Sequence, residues 1–286
     1  MLGTACTAVF SQHHDVRSFG RAGLDVTKKD DFLPHVSWQP DVVLHTAAIV
    51  SADYCEEHED EARNVQVGGT ENVIAFCQKI GAQLFYPQSF LIFGGKENPI
   101  TEDTKPSPLS VYGRVKLEAE ELIVRELSSP LVVRMGGFFG GEEADKNFVG
   151  KFARHLKKCL NEGVGSIDVG NRVWQPTYTG DLARNSLLLI EKNKSGVYNM
   201  ASFGHASFFE IAEEMVKIFN ITDKITIKKI DASGIREKAA RPMIAIMENK
   251  RLQAEGLDRM YSWKIVLAEY LARPYFQKMF QRFQGS

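Results

Sequence analysis

Short apolar runs alternate with stretches of helical periodicity along residues 1–200. Met1–Phe10 reads as the end of a turn followed by a helix, and Asp15–Phe19 as a short strand. Gln39–Ala48 reads as a buried strand running into a turn of small residues. Val65–Ile80 has helical spacing, with Val65, Val73, Ala75 and Phe76 apolar, and Ala82–Tyr86 is the next strand. Tyr112–Leu127 is rich in Glu, Lys, Leu and Ala, residues that lose little on entering a helix, and Pro130–Met135 returns to strand. Strands alternating with helices predict an α/β fold, a doubly wound parallel sheet covered on both faces.

Beyond Gly136 the pattern loosens. Gly136–Gly141 is a glycine-rich loop, Phe148–Leu160 a basic helix, Pro176–Ile190 a turn and a helix, and Gly196–Asn199 a short strand. Ser207–Phe219 is amphipathic, and Ser207 with Glu210 three residues on is the capping-box pattern. No internal repeat or linker is visible. The expected organisation is a Rossmann-like core over 1–135, to which 171–200 returns, and a smaller substrate lobe grown on it over 136–286.

Composition narrows the classes. The chain has 286 residues, 44% hydrophobic and 25% charged, with a net charge of -1. That is ordinary for a soluble globular protein and offers no basic excess for nucleic acid or an anionic membrane. No apolar stretch approaches the length of a membrane-spanning helix, and no secretory leader is visible. Cys6, Cys55, Cys77 and Cys159 are scattered, with no paired spacing for zinc, so the expectation is free thiols in the cytoplasm and no metal.

The candidate chemistry lies in Val111–Lys116. Tyr112 and Lys116 stand four residues apart and share one face of the predicted helix. Ser89 closes an apolar, strand-like run upstream. A phenol and an ammonium side by side, with a hydroxyl near, make a proton-transfer site, because the positive charge favours the phenolate and lowers the tyrosine pKa. The plainer reading is a solvated helix start with a serine that caps a turn.

The opening is unusual. Doubly wound dinucleotide folds begin with a strand and a glycine-rich turn. Here Met1–Phe10 matches only the end of such a turn and the first helix, with Gly3 as the glycine that permits close helix–strand packing. Either the polypeptide continues ahead of Met1 with that strand, or the fold is built without it and carries an open slot with unpaired backbone groups.

Taken in order, the motifs resemble the extended short-chain dehydrogenase/reductase family, and within it the dTDP-4-dehydrorhamnose reductases. They are His45–Ala48, Gly69–Asn72, Tyr86–Gly94, Pro106–Lys116, Arg134–Gly140, Asn147–Phe152, Gln175–Ala183 and Arg241–Pro242. The resemblance implies an NAD(P)-dependent reductase of a sugar-type carbonyl on a nucleotide. In it Ser89 binds the carbonyl oxygen, Tyr112 donates the proton, and Lys116 holds the nicotinamide ribose. It further implies cofactor contacts at Met1, Leu2, Gly3, Asp25, Val26, Thr46, Ala47, Ala48 and Phe138. Arg21 is a candidate partner for the 2′-phosphate of NADP, against a plain surface arginine. Phe90, Asn147, Arg172, Trp174 and Arg241 fall on the substrate side. Trp174 is either a stacking platform or core, and Arg172 with Arg241 is either a diphosphate clamp or a pair of salt bridges. Family members often dimerise through the face that includes the tyrosine helix.

Several positions depart from the pattern. Gln66 replaces an asparagine, Gln88 a serine or threonine, and Phe90 an aspartate, and Asn171–Thr177 alters the substrate loop. The pocket is thereby more apolar than in rhamnose-precursor reductases. Two alternatives therefore stand beside the reductase. One is a non-catalytic regulatory or scaffold subunit, like the regulatory β subunit of methionine adenosyltransferase. The other is a nucleotide-sugar epimerase or dehydratase of the same family.

Overall fold

The computed structural model describes residues 1–283. Its centre is a four-stranded parallel sheet of Val42–Leu44 (β1), Gln83–Ser89 (β2), Leu131–Met135 (β3) and Gly196–Met200 (β4), paired in that order. Leu131, Val132 and Val133 are wholly buried. A parallel strand covered on both faces requires such a continuous apolar run.

One face carries Leu2–Phe10 (α1) and Thr179–Glu191 (α5), packed on each other. Leu2, Cys6 and Phe10 meet Leu131, Val133, Leu182 and Leu187 there. The opposite face carries Gly69–Ile80 (α2) and Val111–Glu126 (α3), whose Val73, Ile74, Phe76, Ala119 and Ile123 pack on Leu84 and Val132. The return of 171–200 to the sheet is visible in α5 and in β4, which pairs with β3 from Leu131↔Gly196 to Met135↔Met200.

Phe148–Asn161 (α4), Phe208–Ile218 (α6) and Trp263–Leu271 (α7) share a separate apolar cluster. A two-stranded parallel sheet of Ser166–Gly170 and Thr226–Ile230 flanks it. The capping box at Ser207 and Glu210 is formed in both directions.

Two expectations need correction. Asp15–Phe19 is not a strand, because an isolated extended segment gains no ladder bonds and no strand lies beside it to supply them. The strand expected over Gln39–Ala48 is regular only from Val42 to Leu44. Its bonds to β2 run through Asp41 O and His45 N–H. Alternate residues of a strand turn their backbone groups to opposite sides. The N–H and C=O of Val42 and Leu44 therefore face away from β2, where no strand pairs with them among the described residues.

Candidate active site

Ser89 is the last residue of β2 and caps one tight turn, Phe90–Ile92, its Oγ accepting from the Leu91 N–H at 3.2 Å. Ser110 caps α3 in the same way, accepting from the Gly113 N–H at 3.2 Å. The two turns touch. A Cβ on Gly113 would lie 2.4 Å from the Leu91 carbonyl oxygen, so only glycine lets α3 start so close to the turn. That approach brings the Tyr112 phenol within hydrogen-bonding reach of the Ser89 hydroxyl. Lys116 follows one turn later on the same face. Its Nζ donates to the Pro87 carbonyl at 3.0 Å and sits 3.9 Å from the centre of the Tyr86 ring. Phenol, alcohol and amine thus gather at the carboxyl end of a parallel strand, the end at which open α/β sheets bind ligands.

The electrostatics differ from the expectation in one respect. Burial pushes the Tyr112 phenol up to about 12, and the Ser89 hydrogen bond only moderates this. The expected lowering by Lys116 is absent, because the ammonium is directed at the Pro87 carbonyl and the Tyr86 ring. Burial also pushes Lys116 down to about 7, against the pull of Glu120. Burial, helped by the Lys116 charge, holds His45 down at about 3. His45 is therefore neutral, with Nε2 3.1 Å from Thr70 Oγ1.

Behind Lys116 lies a buried polar network that sequence reasoning missed. The Gln88 amide donates to the Lys116 carbonyl at 2.9 Å and to Glu120 Oε2 at 2.8 Å, and its oxygen accepts from the Ser89 N–H at 2.8 Å. Glu120 is paired with Arg134, whose Nε lies 3.1 Å from Oε1. Both charges are buried. A signal was available: Arg134 interrupts an otherwise apolar central strand, and a buried charge there must find a partner. Glu120 lies one turn beyond Lys116 on the same face and supplies it.

On the nucleotide side, Gly3 of α1 meets Thr46 just beyond β1. A Cβ on Gly3 would come within 2.8 Å of Thr46 Oγ1, which matches the close packing expected of that glycine. A cavity of about 780 Å³ runs beside β1 and is lined by Gly3, Arg21, Asp25, Val26, Thr46, Ala47 and Ala48 among others. Seven of the cofactor candidates are thus gathered at one opening. Arg21 Nε lies 3.4 Å from Asp25 Oδ2 on the exposed rim. Thr27 donates to Asp25 from its hydroxyl and its N–H, and these bonds hold that carboxyl below its usual range. The Leu2 side chain points into the core, so only its backbone is placed at the start of α1. Met1 lies against Gly141. Phe138 stands apart from this cavity, in the loop after β3, pairing with Thr177.

On the substrate side, Phe90 and Trp174 meet edge to face at 4.9 Å, and Trp174 meets Phe208 likewise at 4.8 Å. The indole also lies against Gly137, where a Cβ would come within 2.7 Å of it. Trp174 is thus packed on three sides, yet its buried Nε1–H has no partner among the described residues. Asn147 is not free, because its amide donates to the Phe138 carbonyl at 2.7 Å. Arg172 and Arg241 are neighbours bridged by Glu237, not scattered surface arginines. Arg172 Nη1 lies 2.9 Å from Glu237 Oε1 and Nη2 2.8 Å from Oε2. Arg241 grips both oxygens of Asp53 at 3.1 and 3.0 Å. Both guanidinium groups are committed to carboxylates of this chain.

The chain belongs to the family described as RmlD substrate binding domain, whose model matches residues 1–276. It is 27% identical over 264 residues to a dTDP-4-dehydrorhamnose reductase of Mycolicibacterium smegmatis, covering 91% of this chain and 78% of that protein. It is 28% identical over 229 residues to methionine adenosyltransferase 2 subunit beta of Danio rerio, covering 78% and 69%. Among solved structures, the dTDP-4-dehydrorhamnose reductase of Bacillus anthracis in complex with NADP superposes with a TM-score of 0.87, at 26% identity and 94% coverage of each chain.

Proposed function

We propose that this protein is an NAD(P)-dependent reductase of a keto group on a nucleotide-linked sugar, with 4-keto deoxysugars as the leading substrate class. The observation that carries this reading is the meeting of Ser89, Tyr112 and Lys116 at the carboxyl end of β2. Family membership supports it, as does the naming of relatives as dTDP-4-dehydrorhamnose reductases.

The residues present fit a dinucleotide. Gly3 lets the amino end of α1 approach Thr46, leaving backbone N–H groups of a helix start to face a pyrophosphate. Asp25 and Val26 line the cavity where adenine and its ribose would bind, and Arg21 on the rim would meet a 2′-phosphate. When bound, the nicotinamide supplies the hydride. Tyr112, its phenol neutral at physiological pH, holds the proton that goes to the carbonyl oxygen. Ser89 orients that oxygen through its hydroxyl, and Lys116 would bind the ribose. Phe90 and Trp174 give the sugar an apolar wall. The division into a nucleotide core and a substrate lobe belongs to the same reading.

The test is a panel of nucleotide-linked keto sugars with NADH and NADPH, following cofactor oxidation. Tyr112→Phe should lower kcat by about 10²–10⁴-fold, the usual contribution of one positioned acid, and leave cofactor affinity within about twofold. Turnover of the variant at the wild-type rate would refute the assignment. A second reading has a specific observation behind it, the similarity to methionine adenosyltransferase 2 subunit beta. A regulatory subunit of this fold would bind nucleotide without reducing any sugar of the panel.

A further inference from the structure

We infer that Tyr86 is a positioning residue, whose ring face fixes the Lys116 ammonium at the place where it meets the cofactor. The inference rests on the reductase reading above and extends it to a side chain outside the Ser89–Tyr112–Lys116 set.

Three observations carry it. First, Lys116 is almost wholly buried, yet no carboxylate pairs with its Nζ. Its partners within the chain are the Pro87 carbonyl at 3.0 Å and the Tyr86 ring, 3.9 Å from Nζ to the ring centre. A buried charge without a counter-ion needs other compensation, and an aromatic face provides it, more strongly where water is excluded. Second, Tyr86 cannot turn away. It is 1% exposed in the middle of the sheet and packed at 5.7 Å from the His45 ring, which is held by Thr70 at 3.1 Å. Thr70 is anchored in turn, donating to the Gln66 carbonyl at 2.5 Å. Third, a lysine has four rotatable bonds and three donors, so a point charge on that stem is aimed only by what surrounds it. With Glu120 held by Arg134 and Gln88, the ring is the one side chain left to aim Nζ, beside the backbone carbonyl of Pro87.

The experiment uses the full chain and titrates NADPH and NADH by fluorescence, alongside steady-state kinetics. Tyr86→Leu removes the ring face and should weaken cofactor affinity about five- to tenfold, with a similar loss in kcat/KM and little change in KM for the sugar. Tyr86→Phe keeps the face, loses only the hydroxyl, and should stay within about twofold of wild type. The double variant with Lys116→Ala decides whether the effect passes through the lysine. In that background Tyr86→Leu should change affinity no further. An equal effect in both backgrounds, a Phe variant as weak as Leu, or a Leu variant as tight as wild type would each overturn the inference. Thermal melting of each variant identifies misfolding, and Tyr86→Met, apolar but without a ring, then replaces Leu. If Lys116→Ala alone leaves nucleotide affinity unaltered, the fault lies in the reductase reading itself.

Discussion

The two sides of the sheet's carboxyl end are built on opposite terms. Around α3, charged and polar groups are buried and matched: Glu120 with Arg134, Gln88 with Lys116 and Glu120, Ser89 with Tyr112. Beside β1, the backbone groups of Val42 and Leu44 face a cavity of about 780 Å³, and no strand pairs with them among the described residues. The difference teaches where rigidity is concentrated. Proton transfer demands fixed atoms, and the matched network fixes them. The proposed nucleotide side is a cavity with Arg21 and Asp25 among its lining.

The matched side should break most severely. Arg134→Met leaves Glu120 buried without its partner, and removal of one member of such a pair costs about 3–5 kcal/mol. Urea denaturation measures this directly. A loss below about 1 kcal/mol would mean that the pair is not what holds α3 on β3. Because Glu120 anchors Gln88, the same variant should also depress turnover.

A matched pair of truncations compares the centre of the sheet with its open edge. Leu131 is 0% exposed on β3, so Leu131→Ala should cost about 2–5 kcal/mol, as core leucines do. Leu44 on β1 is only half-buried beside the cavity, so Leu44→Ala should cost about 1 kcal/mol or less. Equal losses would show that the edge is as tightly packed as the centre. Saturating NADPH should narrow the gap if the nucleotide stiffens β1, because a ligand adds stability only to the folded state that binds it.

The parts of this design that were legible in the sequence are those written in local spacing. Tyr112 and Lys116 declare a shared helix face, Ser207 and Glu210 a cap, and Leu131–Met135 a buried strand. The helix of the run Met1–Phe10 was legible in the same way. What was not legible depends on residues distant in sequence meeting in space. Nothing near Arg172 points to Glu237 as its partner, and nothing near Arg241 points to Asp53. The phenol's position at about 12 depends on burial by several elements at once, which no i, i+4 spacing reports. The strand expected at Asp15–Phe19 failed for a similar reason, because a strand exists only where a neighbour pairs with it. Gln88 was visible as a departure from the family pattern, but its role as a bridge between Ser89, Lys116 and Glu120 required coordinates.

A pH-dependent effect lies between the two regions, at His45. Burial holds its folded-state pKa at about 3, whereas an unfolded histidine titrates near ~6.5. The unfolded chain therefore takes up this proton first as the pH falls. The contribution is fully present above the unfolded value and is lost progressively from about pH 6.5 towards pH 3. The slope from this one group is at most about 1.4 kcal/mol per pH unit, so that pH 5 should cost about 2 kcal/mol relative to pH 7. Carboxylates titrate over part of this range, so the informative quantity is a difference. His45→Asn keeps a polar partner for Thr70 but does not titrate, and its urea midpoint should fall less steeply between pH 7 and pH 5 than that of the wild type. Parallel pH profiles would mean that His45 takes up its proton as readily in the folded protein, and that the floor beneath Lys116 is wetter than its burial implies.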